Sequence, residues 1–231
     1  MLAARPPSFA QTVWVVLWKD LTIELRTREI ITTAGFFAVL VTILASVAFY
    51  GGEQTTKLIG PGAIWLPIAF ASVLALSRTW QRERDESALT GLLVAPVSRA
   101  AIFLGKATGV FVFLMVIAAL VVPMAGLMFH IELLEVLPGL LPLLVLGIVG
   151  IAATGTLFGV MTVRTRARDL VLASVLLPLL SPTLLTGVAG TKDTFAGYPF
   201  AELQSYFVIL AVFDLVALLG GLALFGPLLD D

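Results

Sequence analysis

The stretch SRTWQRERDESALTGLLVAPVSRAAIFLGK, residues 77–106, decides how this chain must be read. From Arg78 to Glu86 it is nearly all charged, far too polar to lie in hydrocarbon. On both sides the chain turns apolar for long enough to cross a bilayer, which takes about 20 residues at 1.5 Å each. Working outward, the same alternation repeats. Six apolar runs emerge, near residues 30–50, 58–77, 98–122, 136–161, 169–189 and 203–225. Each is expected to be a helix, because backbone N–H and C=O groups in lipid have no water to bind and a helix satisfies them internally. The expected fold class is therefore an all-α membrane protein with six transmembrane helices. To these the sequence adds an N-terminal interfacial amphipathic helix over 8–29 and a cytoplasmic segment over 78–97, between spans 2 and 3.

The charges give the orientation. Of the 14 Lys and Arg residues, 12 fall in three islands: residues 5–28, 78–106 and 164–168. The remaining linkers carry only Lys57 and Lys192. Basic residues accumulate in cytoplasmic loops, so both termini are expected in the cytoplasm of a bacterial-type inner membrane. Composition agrees: 59% of residues are hydrophobic and 13% charged, against roughly 25% charged in soluble domains. The mean hydropathy is +1.06. The absence of cysteine excludes disulfides, thiolate metal sites and thiol nucleophiles. The lone histidine, His130, excludes a multi-His metal site within one chain. Nothing in the pattern points to nucleic acid; the expected surroundings are the lipid bilayer. Residues 9–18 are too short and too polar-flanked for a cleaved signal, so the segment is expected to stay on the mature protein.

In that N-terminal segment Trp14, Leu17, Trp18, Leu21 and Leu25 recur at spacings of three and four and make one apolar face. Lys19, Asp20, Glu24 and Arg26 lie mostly elsewhere, and Glu24 with Arg28 forms an i,i+4 pair. Such a helix lies in the headgroup plane. Two small-residue pairs, Gly105 with Gly109 and Gly155 with Gly159, allow close helix approach, within the chain or with a partner. Pro67, Pro142, Pro178 and Pro182 predict kinks. A broken or bent helix is expected above all at Pro178 and Pro182, four apart in span 5. No repeat relates the first three spans to the last three, which counts against an inverted-repeat transporter.

The island over 78–97 is longer than topology alone demands. Arg82 and Glu86 are four apart, suggesting a short helix; Leu89, Leu92 and Leu93 give it an apolar edge. Pro96 ends it, and Ser98 is placed to cap span 3. A charged amphipathic segment of this kind suits docking into a groove on another protein.

Here a resemblance enters. The run ERDESALTGLLVAP (83–96) followed by SRAAIFLGK (98–106) resembles the ABC-2-type membrane permeases. Together with LWKDLTIELRTRE (17–29), GLLVAPVSRAAIFLGK (91–106) and GTLFGVMTVRTRARDLVL (155–172), it is most similar to the cytochrome c maturation permeases, the heme exporter protein B (CcmB) family. The resemblance covers nearly the whole chain and implies one transmembrane permease domain over 1–231. It implies that the island is the coupling segment that touches an ATPase, carried by Arg78, Arg82, Glu83, Arg84, Asp85, Glu86, Leu89, Leu92 and Leu93. One departure stands out: Ser87 replaces a usual Gly, and Thr90–Gly91 an acidic-polar pair. A positive φ there would suit Gly better than Ser.

The sequence holds no G-x-x-x-x-G-K-[ST] phosphate loop. The chain is therefore expected to be non-catalytic, with ATP bound by a separate ATPase. The implied partners are a homodimeric cytochrome c maturation ATPase, a haem-handling membrane subunit, a small single-span subunit and a haem chaperone, with two permease copies per complex. Haem would be handled by those partners and no cofactor bound by this chain. ATP-driven motion would either release the haem-loaded chaperone or export haem. Direct ligation would call for axial His, Met or Cys, and His130, near Met124, Met128 and Phe129, is the one candidate. Asp214, near the middle of span 6, is the carboxylate most clearly inside the membrane. A charge there costs at least about 2.5–3.5 kcal/mol. It is expected to pair with a hydroxyl such as Thr154, Thr183 or Thr186, and is a candidate intramembrane switch. Competing readings are a generic ABC-2 exporter of lipid or drug, an ion-coupled secondary transporter using Asp214, and a structural assembly factor.

Overall fold

The computed structural model describes residues 7–49, 53–85, 97–162 and 168–230. These form seven α-helices: α1 (Phe9–Thr27), α2 (Glu29–Ala48), α3 (Glu53–Asp85), α4 (Arg99–Phe129), α5 (Leu133–Thr162), α6 (Arg168–Phe195) and α7 (Gln204–Asp230). A 3-10 turn, Phe200–Leu203, leads into α7. Six helices, α2 to α7, carry stretches long and apolar enough to cross a membrane. The seventh, α1, packs mainly against α4 and only lightly against α2.

A capping box starts α1: the Ser8 hydroxyl accepts from the Gln11 N–H (3.3 Å) and the Gln11 side chain accepts from the Ser8 N–H (2.9 Å). Its end is a corner. Arg28 takes a left-handed backbone (φ 54°), which residues with a Cβ seldom adopt, and α2 begins at the next residue. The Glu24 carboxylate turns back to accept the Ile31 N–H at 2.8 Å, satisfying one of the free donors at the start of α2.

The helix α3 is longer than the sequence suggests. Span 2 was expected to end at Ser77 with a separate short helix beyond, yet one helix of 33 residues runs on to Asp85. Nothing stops it, since 68–85 contains neither Gly nor Pro. At 1.5 Å per residue it is about 50 Å long, well beyond a 30 Å hydrocarbon core. Arg78, Arg82 and Glu83 thus ride on the same rod as the span.

Glycine notches set the packing. The buried Trp65 ring of α3 lies against Gly147 of α5 and Gly187 of α6, where an added Cβ would come within 2.4 and 2.5 Å of it. Its Nε1 donates to the Thr191 hydroxyl at 2.9 Å. Gly155 and Gly159 receive Leu76 and Trp80 of α3, while Gly105 and Gly109 receive Val16 and Asp20 of α1. Both small-residue pairs are therefore filled from within the chain. Near the cytoplasmic end Trp80, Phe103 and Phe225 form a satellite cluster with Ile102, Leu157 and Val160.

Pro178 and Pro182 do not break α6, which continues through both. The Ser181 hydroxyl donates to the Pro178 carbonyl at 2.6 Å, the acceptor that Pro182 has no N–H to reach. The Ser98 expectation holds in position only: it is the N-cap of α4, but its backbone carbonyl, not its side chain, takes the Ala101 and Ile102 N–H groups.

Candidate functional site

The densest polar chemistry lies where α1 crosses the cytoplasmic ends of α3 and α4. Lys106, in the second turn of α4, is 1% exposed. Its ammonium donates to both oxygens of Asp20 (3.0 and 2.8 Å) and to Glu83 Oε1. The same Glu83 oxygen accepts from Lys19, which also lies 3.4 Å from Asp20. One turn of α1 farther on, Arg82 donates to Glu24 (3.1 Å), to the Thr27 hydroxyl (2.8 Å) and to Glu29 (3.0 Å). Arg78 reaches the other Glu29 oxygen at 3.1 Å.

Four bases thus meet four acids on α1, α3, α4 and the start of α2. Glu24 and Glu83 are 1% and 3% exposed, and removing a partner from such a buried group leaves a stranded charge costing about 3–5 kcal/mol. Burial alone would lower the Lys19 ammonium, but the Asp20 and Glu83 charges outweigh it and raise its pKa above the ordinary lysine value. A cavity of about 20 Å³ beside the network, lined by Lys19, Asp20, Thr79, Arg82 and Glu83, has room for one water.

This gives the amphipathic α1 its two faces. Its buried stripe is Thr12, Val16, Asp20 and Glu24, so the acids face the bundle. The apolar edge of Trp14, Trp18 and Leu25 points outward, with Trp14 61% exposed. The two Trp rings stack at 5.9 Å. Glu24 spends its carboxylate on Arg82 and Ile31 rather than on the expected i,i+4 partner Arg28.

Of the candidate coupling residues, Arg78, Arg82 and Glu83 come together in this network. Arg84 and Asp85 close α3. Glu86, Leu89, Leu92 and Leu93 lie outside the described residues. Glu83 stands just before the segment 86–96 and Lys106 just after it, so their ion pair ties the two roots of that segment together and both to α1. Sequence reasoning missed Asp20, Glu24, Glu29, Lys19 and Lys106 as members. The signal was present: in a chain with few charges, two acids sit four apart on the face of α1 opposite its tryptophans.

At the other end of the bundle His130 caps α4 with a left-handed backbone (φ 53°). It lines a cavity of about 410 Å³ with Lys57, Glu132, Glu135 and Phe195, while Phe129 turns into the core. Among the described residues no group of three His, Asp or Glu is placed to hold a metal. Asp214 is buried on α7 against Gly150 of α5, close to Thr183 of α6. It is remote in sequence and in setting from the cytoplasmic network.

Comparison with known proteins agrees with this architecture. The family model described as "CcmB protein" matches residues 11–225, nearly the whole chain. A heme exporter protein B of Paracoccus denitrificans is 28% identical over 79% of this chain and 82% of its own length. That of Bradyrhizobium diazoefficiens is 24% identical over 88% and 90%. That of Pseudomonas aeruginosa is 24% identical over 75% and 77%. The match takes in α1 and all six spans, and the chain belongs to the CcmB family of multi-pass, ABC-2-type membrane permeases, the family of heme exporter protein B.

Proposed function

We propose that this chain is the permease subunit of an ATP-driven complex for cytochrome c maturation, and that a separate ATPase docks on the segment 78–97. The observation that carries the reading is the clamped base of its 86–96 stretch: Glu83 before it and Lys106 after it bind each other, and Lys106 binds Asp20 of α1. A load applied to such a segment is shared at once by α1, α3 and α4. Arg84, Asp85, Glu86, Leu89, Leu92 and Leu93 make the docking surface in this reading. Arg78, Arg82 and Glu83 are positioning residues that fix it to the bundle.

The family resemblance supports the remaining partners: a homodimeric ATPase, two permease copies, a haem-handling membrane subunit, a small single-span subunit and a haem chaperone. ATP closes the ATPase dimer, the roots of the segment move together, and the spans rearrange to release the haem-loaded chaperone. Close packing favours release over export of haem through a single bundle. The interior is filled by side chains such as Trp65, Ile68, Leu114, Ile117 and Leu140, each essentially without exposure.

The test separates docking from coupling. The tagged chain is co-expressed with a cytochrome c maturation ATPase from the same organism and purified, and ATP turnover is measured. Wild type should retain the ATPase, and a variant carrying Arg84→Glu with Glu86→Lys should lose it. Arg82→Gln should retain the ATPase but lose the permease-dependent change in turnover. Failure of wild type to retain the ATPase would end this reading. Retention by the Arg84→Glu, Glu86→Lys variant would move the docking surface elsewhere.

A further inference from the structure

Asp214 stands on the inner face of α7, 5% exposed, and neither carboxyl oxygen has a hydrogen-bond partner among the described residues. Gly150 of α5 lies opposite. A Cβ there would sit 2.5 Å from Asp214 Oδ1 and 3.3 Å from the Thr183 hydroxyl of α6. The carboxyl and the hydroxyl therefore converge on one glycine, from two different helices.

Thr183 belongs to a minority. Of eight buried threonines among the described residues, five return their hydroxyls to the carbonyl four residues back, including Thr42 to Ala38, Thr79 to Ala75, Thr191 to Gly187 and Thr194 to Gly190. That is the common resting place for such a side chain. Thr183 makes no such bond, nor does Thr154, one turn along α5 from Gly150 on the same face. Thr156, on another side of α5, is also without a partner. Thr183 follows Pro182 directly, on the stretch of α6 whose ladder the two prolines interrupt.

An ionised carboxylate at this depth needs a cation or several donors. The facing stretches, 147–154 of α5 and 179–187 of α6, contain no titratable residue. The nearby stretch 104–111 of α4 contains one, Lys106, and it is committed to Asp20 and Glu83 on the face turned to α1. A carboxylic acid solves the problem that a carboxylate cannot, because it carries its own donor and can bond a hydroxyl in either sense.

We infer that Asp214, Thr183 and the Gly150 notch form a proton-binding site in the middle of the bundle. Its resting state is a neutral carboxylic acid shared among α5, α6 and α7. The ligand is a proton, and its release would leave a bare anion between three helices and move α7 away from α5 and α6 or draw water in. The site goes beyond the coupling reading and stands whether or not an ATPase docks on this chain.

The experiment is infrared difference spectroscopy on the purified full chain in liposomes at neutral pH, wild type against Asp214→Asn. Wild type should show the carbonyl band of a protonated carboxylic acid, shifting in heavy water and absent from Asp214→Asn. Isotope-labelled aspartate in the wild-type chain assigns the band without any substitution. Thr183→Val should move the band toward that of a free acid, and Gly150→Ala should displace it. A wild-type spectrum with carboxylate bands alone would overturn the protonated state. A band that neither Thr183→Val nor Gly150→Ala moves would overturn the shared site.

Discussion

At the cytoplasmic end Lys106, Glu83 and Asp20 are nearly lost to solvent, and each lies against an opposite charge. In the middle of α7 Asp214 is buried to a similar degree and has no counter-ion on the facing helices. The contrast is one of mechanical purpose. Matched charges with short contacts hold three helices in one arrangement, because every departure strands an ion in a poor solvent. A single acid against glycine and threonine carries no such commitment, and its state can change with a proton. The first region is built to keep its geometry, and the proton site proposed above would let the second lose it.

The largest effect expected is from Lys106→Met. It leaves Asp20 without its main partner and Glu83 with Lys19 alone, and should destabilise the chain by about 3–5 kcal/mol, read as thermal unfolding in detergent. Adding Glu83→Gln should recover part of that loss. A single variant as stable as wild type would erase the distinction between the two regions. Gly150→Ala comes next: its Cβ would meet Asp214 Oδ1 at 2.5 Å, an overpacking that costs about 1–3 kcal/mol. Removing the carboxyl by Asp214→Ala should relieve it, so the double variant should be less destabilised than the sum of the two.

Among the described residues Arg78→Gln breaks the half-exposed ion pair with Glu29, and a change within about 1 kcal/mol is expected, shrinking further in high salt. Smallest of all is the effect of mild alkali. The Lys19 ammonium is held above the ordinary value of 10.5. Its contribution is therefore complete at pH below that value and is lost only as pH rises through the higher folded one. Protease sensitivity of α1 should be flat from neutral to about pH 10 and increase beyond it. An earlier loss of protection would mean that Lys19 is not held by Asp20 and Glu83.

The spans were legible because hydrocarbon imposes so simple a rule, and each of the helices α2 to α7 coincides with one expected run apart from its ends. Their ends were less so. The length of α3 depended on the absence of a breaker in 68–85, a cue that hydropathy does not weigh. The helix runs unbroken through Pro178 and Pro182, where Ser181 takes up the carbonyl that Pro182 leaves free, and that bond belongs to a side-chain rotamer, not to a pattern. Asp214 was visible as a charge out of place; Thr183 does lie beside the same glycine, but the expected hydrogen bond between Asp214 and a hydroxyl is not made among the described residues. The charged network was hidden for a different reason. Apart from the adjacent Lys19 and Asp20, its pairs span 23 to 86 residues, and an amphipathic helix in isolation suggests that its charges seek water. Only the packing of α1 on Gly105 and Gly109 shows that they seek α4 instead.

The seating of Trp65 has one more consequence. Its ring fills notches in two helices at once, and its N–H is tied to Thr191 on one of them. For α3 to slide past α5 or α6, the ring would have to climb out of both. The three helices therefore behave as a single stiff beam, with α3 running its length from residue 53 to residue 85. Displacement imposed at one membrane face would reach the other with its amplitude intact, at the rim where Lys57 and Phe195 border the same cavity. Substituting either notch glycine should turn that beam into a spring.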